Sequence, residues 1–182
     1  MNTLICEQPG SFKYVTKEKP SAEKGKAILR IKRIGICGTD LHAFEGTQPY
    51  FEYPRVLGHE LAAEIVAIED NDKFTVGDIV TFIPYFNCGE CIACRNGLTN
   101  CCVSMKVCGV HIDGGMTEYL SVPVESLVDG QGVSPDELAL VKPLAIGAHS
   151  IRRAGVKAGE YVLVIGAGPI GLGPVLDRKS VV

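Results

Sequence analysis

From residue 27 to residue 36 apolar and basic side chains alternate, with Leu29 and Ile31 set against Arg30 and Lys32. A period of two puts one set on a buried face and the other in solvent, which predicts a half-buried β-strand. Residues 61–68 form a second, more apolar strand. Two further strands are predicted at 79–85 and 116–122, bounded by the turn pairs Gly77-Asp78 and Gly114-Gly115. Short strands at this density, up to about residue 133, predict a small β-barrel or sandwich.

The texture changes at Ser134-Pro135-Asp136-Glu137. Serine followed three residues later by glutamate is a capping box, here with proline at the first helical position. A helical region is therefore predicted from 134 to about 154, interrupted at Lys142-Pro143 because proline disrupts a helix interior. A turn at 156–160 then leads into Tyr161-Val162-Leu163-Val164-Ile165, a short buried strand. A β-rich domain thus passes through a helix into the first strand of an α/β domain.

Composition narrows the function classes. A chain of 182 residues, 46% hydrophobic and 21% charged, is not disordered and buries a core. Its net charge of −3 argues against a nucleic-acid partner or an anionic membrane, either of which needs a basic face. The longest uncharged stretch, 161–176, is interrupted by Gly and Pro and too short to cross a bilayer. Early Glu7, Pro9 and Gly10 do not fit a signal peptide, so a cytoplasmic location is expected. In a reducing compartment the eight cysteines are expected as metal ligands or free thiols rather than disulfides.

Cys88, Cys91, Cys94 and Cys102 follow the spacing C-x2-C-x2-C-x7-C. Four thiolates on tight turns suit tetrahedral zinc, and Gly89 and Gly97 let the chain fold back around an ion. An iron–sulfur cluster uses the same donors. Four protein ligands leave no position for water or substrate, so this site reads as structural. Cys101, beside Cys102, is an alternative fourth ligand, while Cys6 and Cys108 read as core or surface thiols. Only Arg95 and Lys106 are basic between Cys88 and Cys108, too little charge for a phosphate-binding zinc ribbon.

A second set lies upstream, in Gly35-Ile36-Cys37-Gly38-Thr39-Asp40-Leu41-His42 and Gly58-His59-Glu60. A thiolate, an imidazole and carboxylates can build an open zinc site, although a lone Cys or His is as readily a core residue. Asp40 can orient a ligand imidazole. Thr39 and His42 offer a hydroxyl and an imidazole to carry a proton. Arg55, in the loop between the two motifs, can pair with a sugar-acid carboxylate or simply lie on the surface. Downstream, Gly166-Ala167-Gly168-Pro169-Ile170-Gly171 follows a predicted strand, the context in which G-x-G-x-x-G signals a dinucleotide site. There Gly166 permits the tight turn, Gly168 admits a pyrophosphate, Gly171 packs helix on strand and Pro169 suits the first helical turn.

With these motifs in this order, the chain resembles the zinc-dependent medium-chain alcohol dehydrogenases, and within them the polyol, threonine and sugar-acid dehydrogenase branch. The resemblance runs to about Gly173. It implies a mainly β chain with some α: a GroES-like β-barrel catalytic domain at 1–133 with a structural zinc lobe at 86–106, a connecting helical region at 134–155, and the start of a Rossmann NAD(P)-binding domain at 156–173. By the same resemblance, Cys37 and His59 match ligands of a catalytic zinc and Glu60 a ligand or near-ligand. Asp40 matches the partner of His59, and Thr39 and His42 match a proton relay. Cys88, Cys91, Cys94 and Cys102 match the structural zinc ligands. Gly166, Gly168, Pro169, Ile170 and Gly171 match the turn that binds NAD or NADP. The implied activity is zinc-dependent, NAD(P)-linked oxidation of a secondary alcohol in a polyol, sugar acid or related small molecule, by a homodimer or homotetramer. No nucleic acid or membrane partner is implied.

Two departures qualify the resemblance. Lys142-Pro143 stands where the branch has Glu-Pro, and an ammonium has no lone pair to offer a metal. Only 11 residues follow Gly171, whereas a βαβ unit needs about 30. Pro174 falls where it is expected to break the dinucleotide-fold helix. Residues 174–182 read as a non-native tail resembling a translated sequencing adapter. The expectation is a truncated N-terminal portion that binds zinc and has no turnover of its own.

Overall fold

The computed structural model describes residues 1–69 and 71–179. They fall into two compact units, Met1–Ala139 and a second beginning at Leu140. The first is mainly β. Strands β1 (Asn2–Gln8) and β2 (Ser11–Thr16) form an antiparallel hairpin, and β3 (Lys26–Gly35) leads into helix α1 (Gly38–Glu45). After the two-residue β4 (Arg55–Val56) come β5 (Glu60–Ala67), β6 (Ile79–Phe82) and β7 (Tyr85–Phe86). A lobe with the short helix α2 (Ile92–Arg95) precedes β8 (Lys106–Val107), β9 (Tyr119–Pro123), β10 (Leu127–Asp129) and helix α3 (Pro135–Leu138).

The strands make a three-stranded sheet in the order β2-β1-β4, a five-stranded sheet in the order β10-β6-β5-β3-β9, and a β7-β8 pair. A bridge between Thr3 and Thr117 links the first sheet to the chain entering β9. The alternation read at 27–36 is β3, whose Ala27 and Leu29 join Ile65, Val80, Val122 and Leu127 in the main core. The predicted strand at 61–68 is β5. The one predicted at 79–85 divides into β6 and β7 around Ile83-Pro84, since proline cannot donate to a ladder.

Helix α3 opens with the predicted cap: the Glu137 N–H donates to Ser134 Oγ at 3.3 Å, and the Ser134 N–H donates to Glu137 Oε2 at 2.9 Å. It packs on β3, β5 and β6, with Leu138 against Ala62. The helical break comes after α3, not at Lys142-Pro143. Pro143 sits in the first turn of α4 (Val141–Ala154), where its missing N–H would have had no intrahelical partner.

The second unit holds α4 and α5 (Pro169–Lys179), which pack together. Two expectations are corrected here. Residues 161–165 do not enter a sheet: Tyr161, Leu163 and Ile165 are exposed and no described strand pairs with them. An extended segment becomes a strand only when a neighbour completes its hydrogen bonds. Pro174 does not end α5, which continues through it to Lys179. One missing N–H is tolerated there while the helix packs closely on α4 at Gly147 and Gly173. The expected non-native tail extends over residues 180–182, which lie outside the described residues.

Candidate metal centres and cofactor turn

Cys37, His59 and Glu60 converge at the open end of the β3–β5 ladder. Gly35 and Glu60 are its last paired residues, so the chain leaves β3 at Cys37 just where it enters β5 from His59. One ligand atom from each of the three lies within 4.8 Å of the others. His59 and Glu60 are 4% and 5% exposed, a burial that charged or polar groups tolerate only with compensation.

Two devices hold this geometry. Gly58 has φ +94°, a left-handed conformation that favours glycine, and it turns the chain into His59. The loop at 114–116 then straps the turn: the N–H groups of Gly114, Gly115 and Met116 donate to the carbonyls of Val56, Gly58 and Leu57 at 2.7, 2.8 and 2.9 Å. Nothing in the sequence pattern marks that strap, where Gly114-Gly115 reads only as a strand boundary. The second device is Asp40, 3% exposed, in the first turn of α1. Its Oδ2 accepts the Cys37 N–H at 2.8 Å and its Oδ1 accepts the Gly58 N–H at 3.2 Å.

Asp40 Oδ1 stands 3.8 Å from His59 Nδ1, beyond hydrogen-bond length, and Nδ1 is buried without a hydrogen-bond partner. A buried imidazole, a thiol and a buried carboxylate with ligand atoms this close together are a donor set that fits Zn²⁺. Thr39 and His42 both belong to α1. His42 is exposed, with Nδ1 3.2 Å from Thr47 Oγ1 and 3.4 Å from Glu45 Oε2. Arg55 lies beside Asp113, Nη1 to Oδ1 3.8 Å, with a side chain 18% exposed.

The second centre is the lobe between β7 and β8. Cys88, Cys91, Cys94 and Cys102 bring their sulfurs within 4.8 Å of one another. Three of the separations are 3.5 Å for Cys91–Cys94, 3.6 Å for Cys88–Cys102 and 4.0 Å for Cys88–Cys94. A tetrahedron with Zn–S of about 2.3 Å has edges of about 3.8 Å, so the four sulfurs span a zinc-sized cage. Backbone N–H groups point into it: Cys88 to Cys102 Sγ at 3.3 Å, Cys91 to Cys88 Sγ at 3.4 Å, and Ser104 to Cys102 Sγ at 3.4 Å. Donors of this kind favour thiolate. The N–H groups of Cys94 and Val103 hold the Cys91 thiol down to about 6, and that of Cys88 lowers Cys102. Desolvation, followed by the neighbouring Cys91 sulfur, pushes Cys94 up to about 11. Cys101 is exposed and is not one of this set of four.

In the second unit, Gly166 has φ +102° and α5 starts at Pro169. A side chain at Gly171 would overlap the Gly166 carbonyl, whereas nothing lies within 4 Å of where a Cβ would stand on Gly168. The turn is therefore tight on its inner side and open at Gly168. Ile170 is exposed in the first turn of α5, and Lys142 lies in the first turn of α4.

Residues 23–132 match the family described as Alcohol dehydrogenase GroES-like domain. The chain belongs to this family. It is 51% identical over 181 residues to L-galactonate-5-dehydrogenase of Escherichia coli K12, covering 99% of this chain and 53% of that protein. It is 43% identical to an uncharacterized zinc-type alcohol dehydrogenase-like protein of Haemophilus influenzae, covering 94% and 51%. Among solved structures, an alcohol dehydrogenase (rspB) of E. coli CFT073 complexed with the cofactor NADH superposes with a TM-score of 0.91 at 35% identity, covering 100% of this chain and 53% of that one. The chain spans about half the length of the curated relatives it matches. No helix among the described residues is long and apolar enough to cross a membrane.

Proposed function

We propose that this chain is the metal-binding part of a zinc-dependent, NAD(P)-linked dehydrogenase that oxidises a secondary alcohol of a polyol, sugar acid or related small molecule. The observation that carries this reading is the convergence of a half-buried Cys37 with buried His59 and Glu60, three different donors in one cluster. The sugar-acid and zinc-type relatives support the substrate class and the metal, and the NADH-bound neighbour supports the cofactor. A homodimer or homotetramer in the cytoplasm is part of the same proposal.

Cys37, His59 and Glu60 hold the catalytic ion, and Asp40 keeps the two backbone segments that carry them in register. Bound Zn²⁺ supplies Lewis-acid polarisation of the substrate oxygen. Thr39 holds the proton leaving that oxygen, and His42, exposed on α1, passes it to solvent. Cys88, Cys91, Cys94 and Cys102 hold a second zinc that fixes the lobe. The turn from Gly166 to Gly171, with Pro169 and Ile170, receives the pyrophosphate at the N-terminus of α5.

The test joins this chain to the remaining half of the E. coli L-galactonate-5-dehydrogenase. The chimera binds two zinc ions and reduces NAD(P)⁺ with aldonates, and Cys37→Ser abolishes turnover with loss of one zinc. A chimera with both zincs and no turnover on aldonates or polyols would sink the enzymatic reading. A second reading, a zinc-binding unit with no turnover of its own, is favoured by the unpaired segment at 161–165. It is tested by the same assay on the 182-residue chain alone, where turnover would refute it.

A further inference from the structure

We propose that Gly35 is the positioning residue for Glu60: the missing side chain at 35 leaves the space into which the Glu60 carboxylate folds to reach Cys37 and His59. This rests on the zinc reading of that trio. Gly35 and Glu60 face each other as the last pair of the antiparallel β3–β5 ladder. Opposed residues in such a ladder carry Cβ atoms about 4.5–5.5 Å apart. A Cβ built on Gly35 would instead stand 2.9 Å from Glu60 Cβ and 2.9 Å from Glu60 Oε2. Both separations fall well inside the ordinary contact distance of about 3.5–4.0 Å. The Glu60 side chain therefore curls over the Gly35 backbone and occupies the volume a side chain at 35 would need.

Space is the reason for glycine here, not backbone conformation. Gly35 is the last residue of β3 and is not among the glycines with positive φ, so its backbone suits alanine. The Ala139 carbonyl, 3.5 Å from the same point, is at ordinary contact and accommodates a methyl group. Glu60 is the neighbour that cannot. Its Cβ is fixed by the ladder, and its buried carboxylate can yield only by swinging away from the place it now shares with the Cys37 and His59 donor atoms. Gly35 thus decides whether the cluster presents three donors or two.

The test is a double-mutant cycle read by metal binding. The chain is stripped with chelator and titrated with Zn²⁺ against a chromophoric competitor, then with Co²⁺ to record the spectrum of the weaker site. The wild-type chain takes two equivalents. Gly35→Ala keeps the tighter, four-cysteine equivalent and weakens the other by about 10- to 100-fold. Its Co²⁺ spectrum shifts to that of Glu60→Gly. In the Glu60→Gly background, which lacks both the Cβ and the carboxylate that a methyl group at 35 would meet, Gly35→Ala changes the affinity by less than about twofold. Should Gly35→Ala alone fail to fold, Gly35→Ala/Glu60→Gly folds and binds like Glu60→Gly, because both atoms that a methyl group at 35 would meet, the Glu60 Cβ and Oε2, are gone. An unchanged second equivalent in Gly35→Ala, or an equal loss with and without Glu60, overturns the proposal while leaving the zinc reading intact. A wild-type chain that takes a single equivalent removes both.

Discussion

Asp40 and Gly58 lie 18 residues apart in the chain, yet the Gly58 N–H donates to Asp40 Oδ1 at 3.2 Å in the interior. The other oxygen of the same carboxylate accepts the Cys37 N–H at 2.8 Å. One side chain thereby ties the end of β3, which delivers Cys37, to the turn that delivers His59. A metal site assembled from two loops needs such a tie, because each loop alone is free to drift.

Asp40→Asn tests the tie. An amide offers one acceptor oxygen where the carboxylate offers two, and its NH₂ group faces a backbone donor. One buried N–H is left unpaired, at a cost of about 1–3 kcal/mol. Urea unfolding should show a lower midpoint at unchanged slope, and the weaker zinc equivalent should bind about tenfold less tightly. Unchanged stability would mean that the Asp40 tie is not needed to hold the two segments together.

The four-cysteine lobe is joined to the barrel through the two-residue strands β7 and β8. Its order therefore depends on its ion. Cys94→Ser should lower the zinc content by one and open the chain between Cys88 and Cys102 to limited proteolysis, while the far-ultraviolet signal of the barrel persists. Global unfolding on loss of that zinc would refute the independence of the lobe.

The elements most legible from sequence were those whose pattern is local. Strand β3 shows in its alternation, the α3 cap in Ser134 and Glu137, and the lobe in the spacing of its thiols, because each repeats on the scale of one turn or one strand. Helix α1 was not apparent: its cap is Asp40 reaching back to the Cys37 N–H, without a Ser or Thr to announce it. The 161–165 segment carries strong strand propensity, but pairing is a property of neighbours and none is present among the described residues. The members of the trio stand in recognisable motifs. The register that lays Gly35 opposite Glu60 depends on two strands 25 positions apart in sequence and is visible only in the fold.

Core packing sets the scale of barrel stability. Ile65 is fully buried on β5 among Leu29, Val80 and Val122. Ile65→Ala should cost about 2–5 kcal/mol in denaturant unfolding, through lost transfer energy and a cavity that the sheet cannot close. Zinc stoichiometry in the folded variant should stay at two, since the residue touches neither centre. A cost below 1 kcal/mol would show that β5 repacks freely.

Acid should act on the Glu64 cluster. Arg30 Nη2 and Lys32 Nζ approach Glu64 Oε2 at 2.6 and 2.7 Å. The hydrogen bonds from Arg30 and Lys32 hold the carboxyl down at about 2, from an ordinary 4.5. A depressed folded-state pKa stabilises the fold above the unfolded value, and that contribution is lost as pH falls through the window from about 4.5 to about 2. The Tm gap between wild type and Glu64→Gln should thus be present at neutral pH, small as befits a surface pair, and close across that window. A gap that persists at pH 2 would assign the effect to packing.

Thiol reactivity sorts the eight cysteines by environment. Cys101 is exposed and outside both clusters, so in the zinc-loaded chain it should react first with a disulfide reagent, and Cys101→Ser should remove that phase. Chelation should release the five proposed ligands, Cys37, Cys88, Cys91, Cys94 and Cys102, as a second phase. Cys6 and Cys108 should remain silent until denaturant is added. Both are buried, and desolvation pushes the Cys108 thiol up to about 12, leaving almost no thiolate at neutral pH. If Cys37 reacted at the rate of Cys101 in zinc-loaded protein, it would not be a ligand, and the trio would lose its only sulfur donor.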